Sequence, residues 1–216
     1  MQYLYSIFIN LIIYVPPILF AIVLHEVAHG WAALRCGDIT AWSQGRLSLN
    51  PLCHVDPIGT VLVPTLSLFL FGFIFGWAKP VPVNYYRLRH PKQDMALVAL
   101  AGPGANLVMA FGWGLVMAIG KIILLLGMPL LGVLLERMGE IGIYTNVFIG
   151  VLNMLPIPPL DGSRVLMGVL PDVFGRLVAR VEPYGLILIP LLLTTGILNI
   201  WPLVVWLYNF IFSFFS

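Results

Sequence analysis

The chain has 216 residues, of which 60% are apolar and only 9% are Asp, Glu, Lys or Arg. A soluble domain carries about a quarter charged residues, so this chain cannot cover a water-facing surface. It is too apolar for a disordered segment, and with a net charge of +2 it is too charge-poor to bind nucleic acid.

Five stretches, 1–24, 57–78, 95–120, 141–160 and 183–216, contain no Asp, Glu, Lys or Arg. Each is long enough to reach or cross a hydrocarbon layer of ~30 Å, which takes roughly 20 helical residues. The expected fold class is therefore an all-α polytopic membrane protein, one domain over 1–216, embedded in a lipid bilayer. The first helix is predicted over 4–34, bent or interrupted at Pro16-Pro17. No Lys or Arg precedes Arg35, so the apolar start is read as a retained helix rather than a signal peptide. Residues 45–50 (GRLSLN) alternate polar and apolar and predict a short strand, with a second at 80–84. Residues 57–78 are apolar but broken by Gly59, Pro64, Gly72 and Gly76, which suits a re-entrant element that dips in and returns. A polar connector follows over 79–94.

A second core helix is predicted over 95–120, with a short interfacial piece at 122–135. A third core helix over 141–158 runs into Pro156-Ile157-Pro158-Pro159-Leu160-Asp161-Gly162. Residues 166–181 are more amphipathic. Residues 183–216 can form a helical hairpin turning near 199–202. The architecture is thus a three-helix core plus a carboxyl-terminal hairpin, with short β-strands near one face. Cys36 and Cys53 stand 17 positions apart without a CxxC spacing and are read as free thiols.

His25-Glu26-Val27-Ala28-His29 is a HExxH motif. On a helix the two imidazoles lie one turn apart on one face, which suits two adjacent ligand positions on Zn²⁺. The glutamate beside them can act on a metal-bound water. Two histidines and a glutamate in an apolar helix are also costly, and such groups mark function. The longer HExxHxxGxxH pattern is excluded, because Ala32 and Arg35 occupy its Gly and His positions. No Glu occurs between Glu26 and Glu136, and Glu136 and Glu140 sit in a connector, so the third ligand is expected to be an aspartate. Asp38, Asp56, Asp94, Asp161 and Asp172 are the candidates. Asp161 alone directly follows a membrane helix, at a Pro-rich turn.

HEVAH at 25–29, AGPGAN at 101–106 and NMLPIPPLDG at 153–162 occur in an order that resembles the site-2 proteases, the zinc-dependent intramembrane metalloproteases. GRLSLNPLCHVDPIGT and FGWAKPVPVN are similar to segments of the small bacterial and archaeal-type members. The resemblance implies His25, His29 and Asp161 as ligands of one Zn²⁺ per chain and Glu26 as the catalytic acid/base. It implies Asn106 and Asn153 as polar groups near the reacting carbonyl. Many relatives carry a PDZ or CBS domain, for which 216 residues leave no room. The residues themselves allow humbler roles: Asn153 can satisfy a broken turn, and Asn106 can glue helices beside Gly102, Gly104 and Ala105. His54 is read as a solvated loop histidine and His90 as a surface one.

Topology tests the site. For His25, His29 and Asp161 to meet, an even number of crossings must separate them, which makes 57–78 re-entrant. Connectors 35–57, 77–94 and 159–182 then share one side and hold nine Lys/Arg, against two on the other. The positive-inside rule favours this arrangement over a crossing 57–78, which splits them seven to four. It puts the active site toward the cytoplasm of a cell membrane expected to be prokaryotic. The expected partner is a transmembrane protein substrate, presented as extended chain and held by strand addition at 45–50 or 80–84. The alternative is a membrane metal-ion transporter using the same His/Glu/Asp site for transit.

Overall fold

In the computed structural model, residues 2–71 and 79–216 are described. The tail of the expected re-entrant element, including Gly72 and Gly76, lies outside the described residues. The chain is helical: α1 Gln2–Arg35, α2 Thr40–Ser43, α3 Val63–Phe71, α4 Pro91–Leu125, α5 Pro129–Asn153, α6 Asp161–Val169, α7 Asp172–Val181, α8 Gly185–Thr194 and α9 Trp201–Phe212. At 1.5 Å per residue, α1, α4 and α5 extend about 51, 52 and 37 Å, each more than a hydrocarbon layer of ~30 Å.

Local chemistry sets the ends. Pro91 and Pro129 sit in the first turns of α4 and α5, where a missing N–H costs nothing. Asp94 adds a carboxylate to the first turn of α4 and accepts from His90 N at 2.8 Å. After α5, Pro156, Pro158 and Pro159 cannot continue a helix, and the chain turns through 154–160 before α6 begins.

Four boundaries differ from the sequence expectation. No strand occurs among the described residues. Residues 45–47 turn and 80–84 run extended without a ladder partner, because alternation over so few residues cannot hold a strand without a neighbour to pair with. Pro16 and Pro17 lie inside a continuous α1. The piece at 122–135 is shared between the end of α4 and the start of α5, with the turn at Gly127 (φ 81°). The third core helix stops at Asn153 rather than at 158.

Helices α4 and α5 pack most extensively, α1 lies against both, and α6 and α9 add to α4 and α5 respectively. The α4–α5 approach is close enough to need glycine. A Cβ at Gly139 would stand 2.5 Å from the Met117 Cβ, and one at Gly120 would stand 2.8 Å from the Gly132 carbonyl. Such small-residue contacts are how helices associate where hydrophobic burial supplies no driving force. The apolar cluster Met117, Ile143, Val147, Val204 and Ile211 fills the space between α4, α5 and α9. Outward faces are equally apolar: Phe8, Val108 and Trp206 are 60%, 73% and 62% exposed. Water would not tolerate that surface over the whole molecule, and lipid does. α8 and α9 have 10 and 12 residues, roughly 15 and 18 Å of helix, so neither alone matches the hydrocarbon thickness.

Candidate metal centre

Helix α1 places His25 and His29 on one face, one turn apart, with ring centroids 4.7 Å apart and at right angles. Both face α4 and are buried. Asp161 reaches them from the first position of α6. Its turn is closed by Leu160 N donating to Ile157 O at 3.0 Å and by Ser163 Oγ donating to Leu160 O at 2.7 Å. Gly162 follows because a Cβ there would strike the Met154 and Leu155 carbonyls. The result is a compact triad. The Asp161 Oδ2 lies 3.1 Å from His25 Nε2 and 3.3 Å from His29 Nε2, and the two Nε2 atoms are 3.1 Å apart.

The protons in this triad follow from its surroundings. His29 Nδ1 stands 2.7 Å from the Val98 carbonyl, which can only accept, so Nδ1 carries the proton. Asn106 donates its amide to the Ala21 carbonyl at 3.1 Å, which turns its Oδ1 toward His25 Nδ1 at 2.5 Å. His25 Nδ1 is therefore a donor too. In the neutral form of each ring this leaves Nε2 as the lone-pair atom, directed at the other Nε2 and at the carboxylate. Asp161 Oδ2 is buried and accepts no hydrogen bond, although it is within ion-pair distance of both rings. Two imidazole nitrogens and one carboxylate oxygen converging in this way form a donor set suited to Zn²⁺. Their outer nitrogens are held by a carbonyl and a side-chain amide, the usual support of ligating histidines.

Glu26 directly follows His25 on α1. Its Oε2 accepts from the backbone N–H of Val81 at 2.8 Å, in the extended 80–84 segment. That segment is fixed at both ends. Arg46 Nη2 donates to Lys79 O at 2.9 Å, and Asp38 Oδ2 accepts from Asn84 N at 2.7 Å. Gly102 of α4 lets the imidazoles approach, since a Cβ there would overlap His29 Nε2 and stand 2.7 Å from His25 Cε1.

The remaining aspartates whose side chains are described do other work. Asp38 is fully buried and binds the Thr40 backbone and hydroxyl as well as Asn84. Burial by itself raises its pKa, but the Thr40 hydroxyl, the Asn84 and Thr40 N–H groups and the Arg87 charge outweigh it and hold the carboxyl below the usual value. Asp56 accepts from Ile58 N and Gly59 N, and Asp94 caps α4.

Asn106 is fully buried, and its amide donates to Ala21 O and to Asn146 Oδ1 at 2.9 Å, so both of its N–H groups are engaged between helices. Asn153 ends α5, is half-buried, and donates to Ile149 O at 3.0 Å. His54 is buried rather than solvated, donating Nε2 to Ser48 O at 2.8 Å, while His90 is exposed. Sequence reasoning missed Val98, Val81 and Asn146. The first two act through the backbone and leave no side-chain signal. Asn146 could have been flagged as an amide inside an apolar helix.

The chain matches peptidase family M50 over residues 13–197. It is similar to a Bacillus subtilis protein named "Putative zinc metalloprotease YwhC", at 37% identity over 189 residues, 83% of this chain and 80% of that one. A Mycolicibacterium smegmatis protein named "Putative zinc metalloprotease Rip2" is 33% identical over 201 residues, 89% of this chain and 71% of that one. A Methanocaldococcus jannaschii protein named "Putative zinc metalloprotease MJ0611" is 34% identical over 144 residues, 67% of this chain and 63% of that one. No solved structure matches the chain at a significant level.

Proposed function

Because the chain belongs to peptidase family M50, the family of the site-2 proteases, we propose that this metalloprotease is a zinc-dependent endopeptidase cutting peptide bonds in or beside the transmembrane segments of other membrane proteins. The observation that carries the reading is the convergence of His25 Nε2, His29 Nε2 and Asp161 Oδ2 beside Glu26. The names of the relatives support zinc as the ion.

His25, His29 and Asp161 would hold the metal, one ion per chain. When bound, zinc supplies a water of lowered pKa and polarises the scissile carbonyl. Glu26 would serve as general base and acid, moving a proton from the attacking water to the leaving amine on its own carboxylate. The Val81 N–H anchors its Oε2, which leaves Oε1 as the oxygen that carries the proton. Asn106 holds the His25 ring with Nε2 turned inward. Asn153, with an amide hydrogen beyond the one given to Ile149, is assigned to the substrate backbone. The substrate must unwind there, because helical carbonyls are already hydrogen-bonded and shielded.

The orientation we favour puts connectors 35–57, 77–94 and 159–182 in the cytoplasm, since they hold nine of the eleven Lys and Arg residues. His25 lies ten residues before the end of α1, so the ion would sit about 15 Å below that helix end, at 1.5 Å per residue. The chain would span a prokaryotic cell membrane several times.

The test uses the full chain with a single-pass substrate in proteoliposomes. Glu26→Gln should retain one zinc per chain and lose cleavage. Cleavage at the wild-type rate by that variant would refute the assignment.

A further inference from the structure

Asn146 is one of the most completely buried polar residues of the molecule, and the catalytic reading above gives it no role. It lies on α5, seven residues before the helix ends. Its Nδ2 donates to the Gly142 carbonyl at 2.9 Å, one turn back in its own helix. That bond decides which way the amide faces, because a carbonyl can only accept. The Asn146 Oδ1 is thereby turned toward α4, where it accepts from Asn106 Nδ2 at 2.9 Å. The other Asn106 amide hydrogen goes to Ala21 O on α1, and its Oδ1 takes the proton of His25 Nδ1. The Asn106 amide is thus oriented from two sides, by the Ala21 carbonyl of α1 and, through Asn146, by the Gly142 carbonyl of α5. That orientation reaches the His25 ring, whose other nitrogen faces Asp161.

We propose that Asn146 is a positioning residue for the metal site, acting through Asn106 to hold the His25 ring with its Nε2 lone pair toward the ion. The inference rests on the reading of His25 as a ligand. Without the Asn146 oxygen, one Asn106 N–H is left buried and unpartnered, and groups in that state turn or recruit other partners. Asn106 turned over would present its NH₂ to His25 Nδ1 and demand a lone pair there. The proton would then move to Nε2, the atom the metal needs. Partners just outside a metal site typically change affinity 10–100-fold. Asn146 stands one residue further out, so the lower end is expected.

The competing role is plain helix glue, since amide pairs join membrane helices without any active site. The two separate on the full-length chain in mild detergent, with three measurements: zinc affinity by chelator competition, the visible absorption spectrum of the Co²⁺-loaded protein, and the melting temperature of the metal-free protein. Asn146→Leu should weaken zinc by about 10-fold and alter the cobalt spectrum. Asn146→Asp keeps an oxygen opposite Asn106 and should restore both. In an Asn106→Ala background, Asn146→Leu should weaken zinc no further, because the two act in series. Wild-type zinc affinity and spectrum in Asn146→Leu, with only the melting temperature lowered, overturns the proposal, as does a fully additive loss in the Asn106→Ala background. Should Asn146→Leu not fold, Asn146→Ala serves the same comparison. A wild-type chain that takes up no zinc would instead overturn the metal reading itself.

Discussion

The backbone N–H of Val81 donates to Oε2 of Glu26 at 2.8 Å, across 55 positions of sequence. Val81 is flanked by Pro80 and Pro82, neither of which has an N–H, so this is the one donor the chain offers between residues 80 and 82. The extended connector is thereby tied to the glutamate of the HExxH motif. A hydrogen bond to a charged group contributes about 1.5–3 kcal/mol, enough to hold one carboxylate rotamer.

Val81→Pro removes that donor while keeping the extended backbone. It should lower cleavage by about 10- to 100-fold, the rate equivalent of losing a bond of that strength, and leave zinc content unchanged. Val81→Ala, which keeps the N–H, should cleave nearly as well as the wild type. Equal rates for Val81→Pro and Val81→Ala would show that the contact plays no part in turnover.

Asp161→Ala removes the carboxylate that α6 delivers to the two imidazoles. Zinc at 100 times its Kd should stabilise the wild-type chain by about 2.7 kcal/mol by mass action. That gain should disappear in Asp161→Ala, and chelator should abolish it in the wild type. Thermal unfolding with and without added zinc reads both, and a persistent zinc shift in Asp161→Ala would point to a different ligand set.

Gly102→Ala places a methyl group against the His25 and His29 rings, 2.6 Å from His29 Cε1. The rings cannot keep their places, so zinc affinity should fall at least about 10-fold, as when a site's supporting contacts are lost. Gly104→Ala is the matched control, because a Cβ there meets nothing within 4 Å. Chelator competition on the two proteins should separate them.

Asp38 makes stability pH-dependent at the far end of the same connector. Its folded pKa is held below the usual carboxylate value, by the Thr40 and Asn84 hydrogen bonds and the Arg87 charge acting against burial. The stabilisation is therefore complete above the unfolded value of about 3.9 and is lost as the pH falls through the lower folded one. Asp38→Asn should melt lower than the wild type at pH 6. The gap should narrow as the pH is taken below about 4. A constant gap from pH 6 to pH 3 would exclude ionisation of Asp38 as its source.

Much of the site was legible in the sequence because its chemistry is local. Two histidines four apart on a helix must share a face, and a carboxylate after a run of prolines must sit where a helix has been stopped. The apolar stretches announced the long helices for the same reason, since length and hydropathy belong to a segment alone. The strands expected at 45–50 and 80–84 failed because pairing is a property of two segments, and alternation in one says nothing of a neighbour. Instead the 80–84 backbone is spent on side chains, with Val81 bonded to Glu26 and Asn84 to Asp38.

Sequence alone determined the class of the protein, the HExxH pair and the short choice of aspartates, because residue type and spacing are enough for those. Only the tertiary structure decided that Asp161 is the carboxylate that meets the rings. It also decided that the Asn106 oxygen faces His25 Nδ1, that the Val98 carbonyl faces His29 Nδ1, and that Asn146 meets Asn106 from α5. The physical reason is that hydrogen bonds to the outer ring nitrogens form between helices distant in sequence. Which amide faces which ring depends on how α1, α4 and α5 pack, and no single helix carries that information.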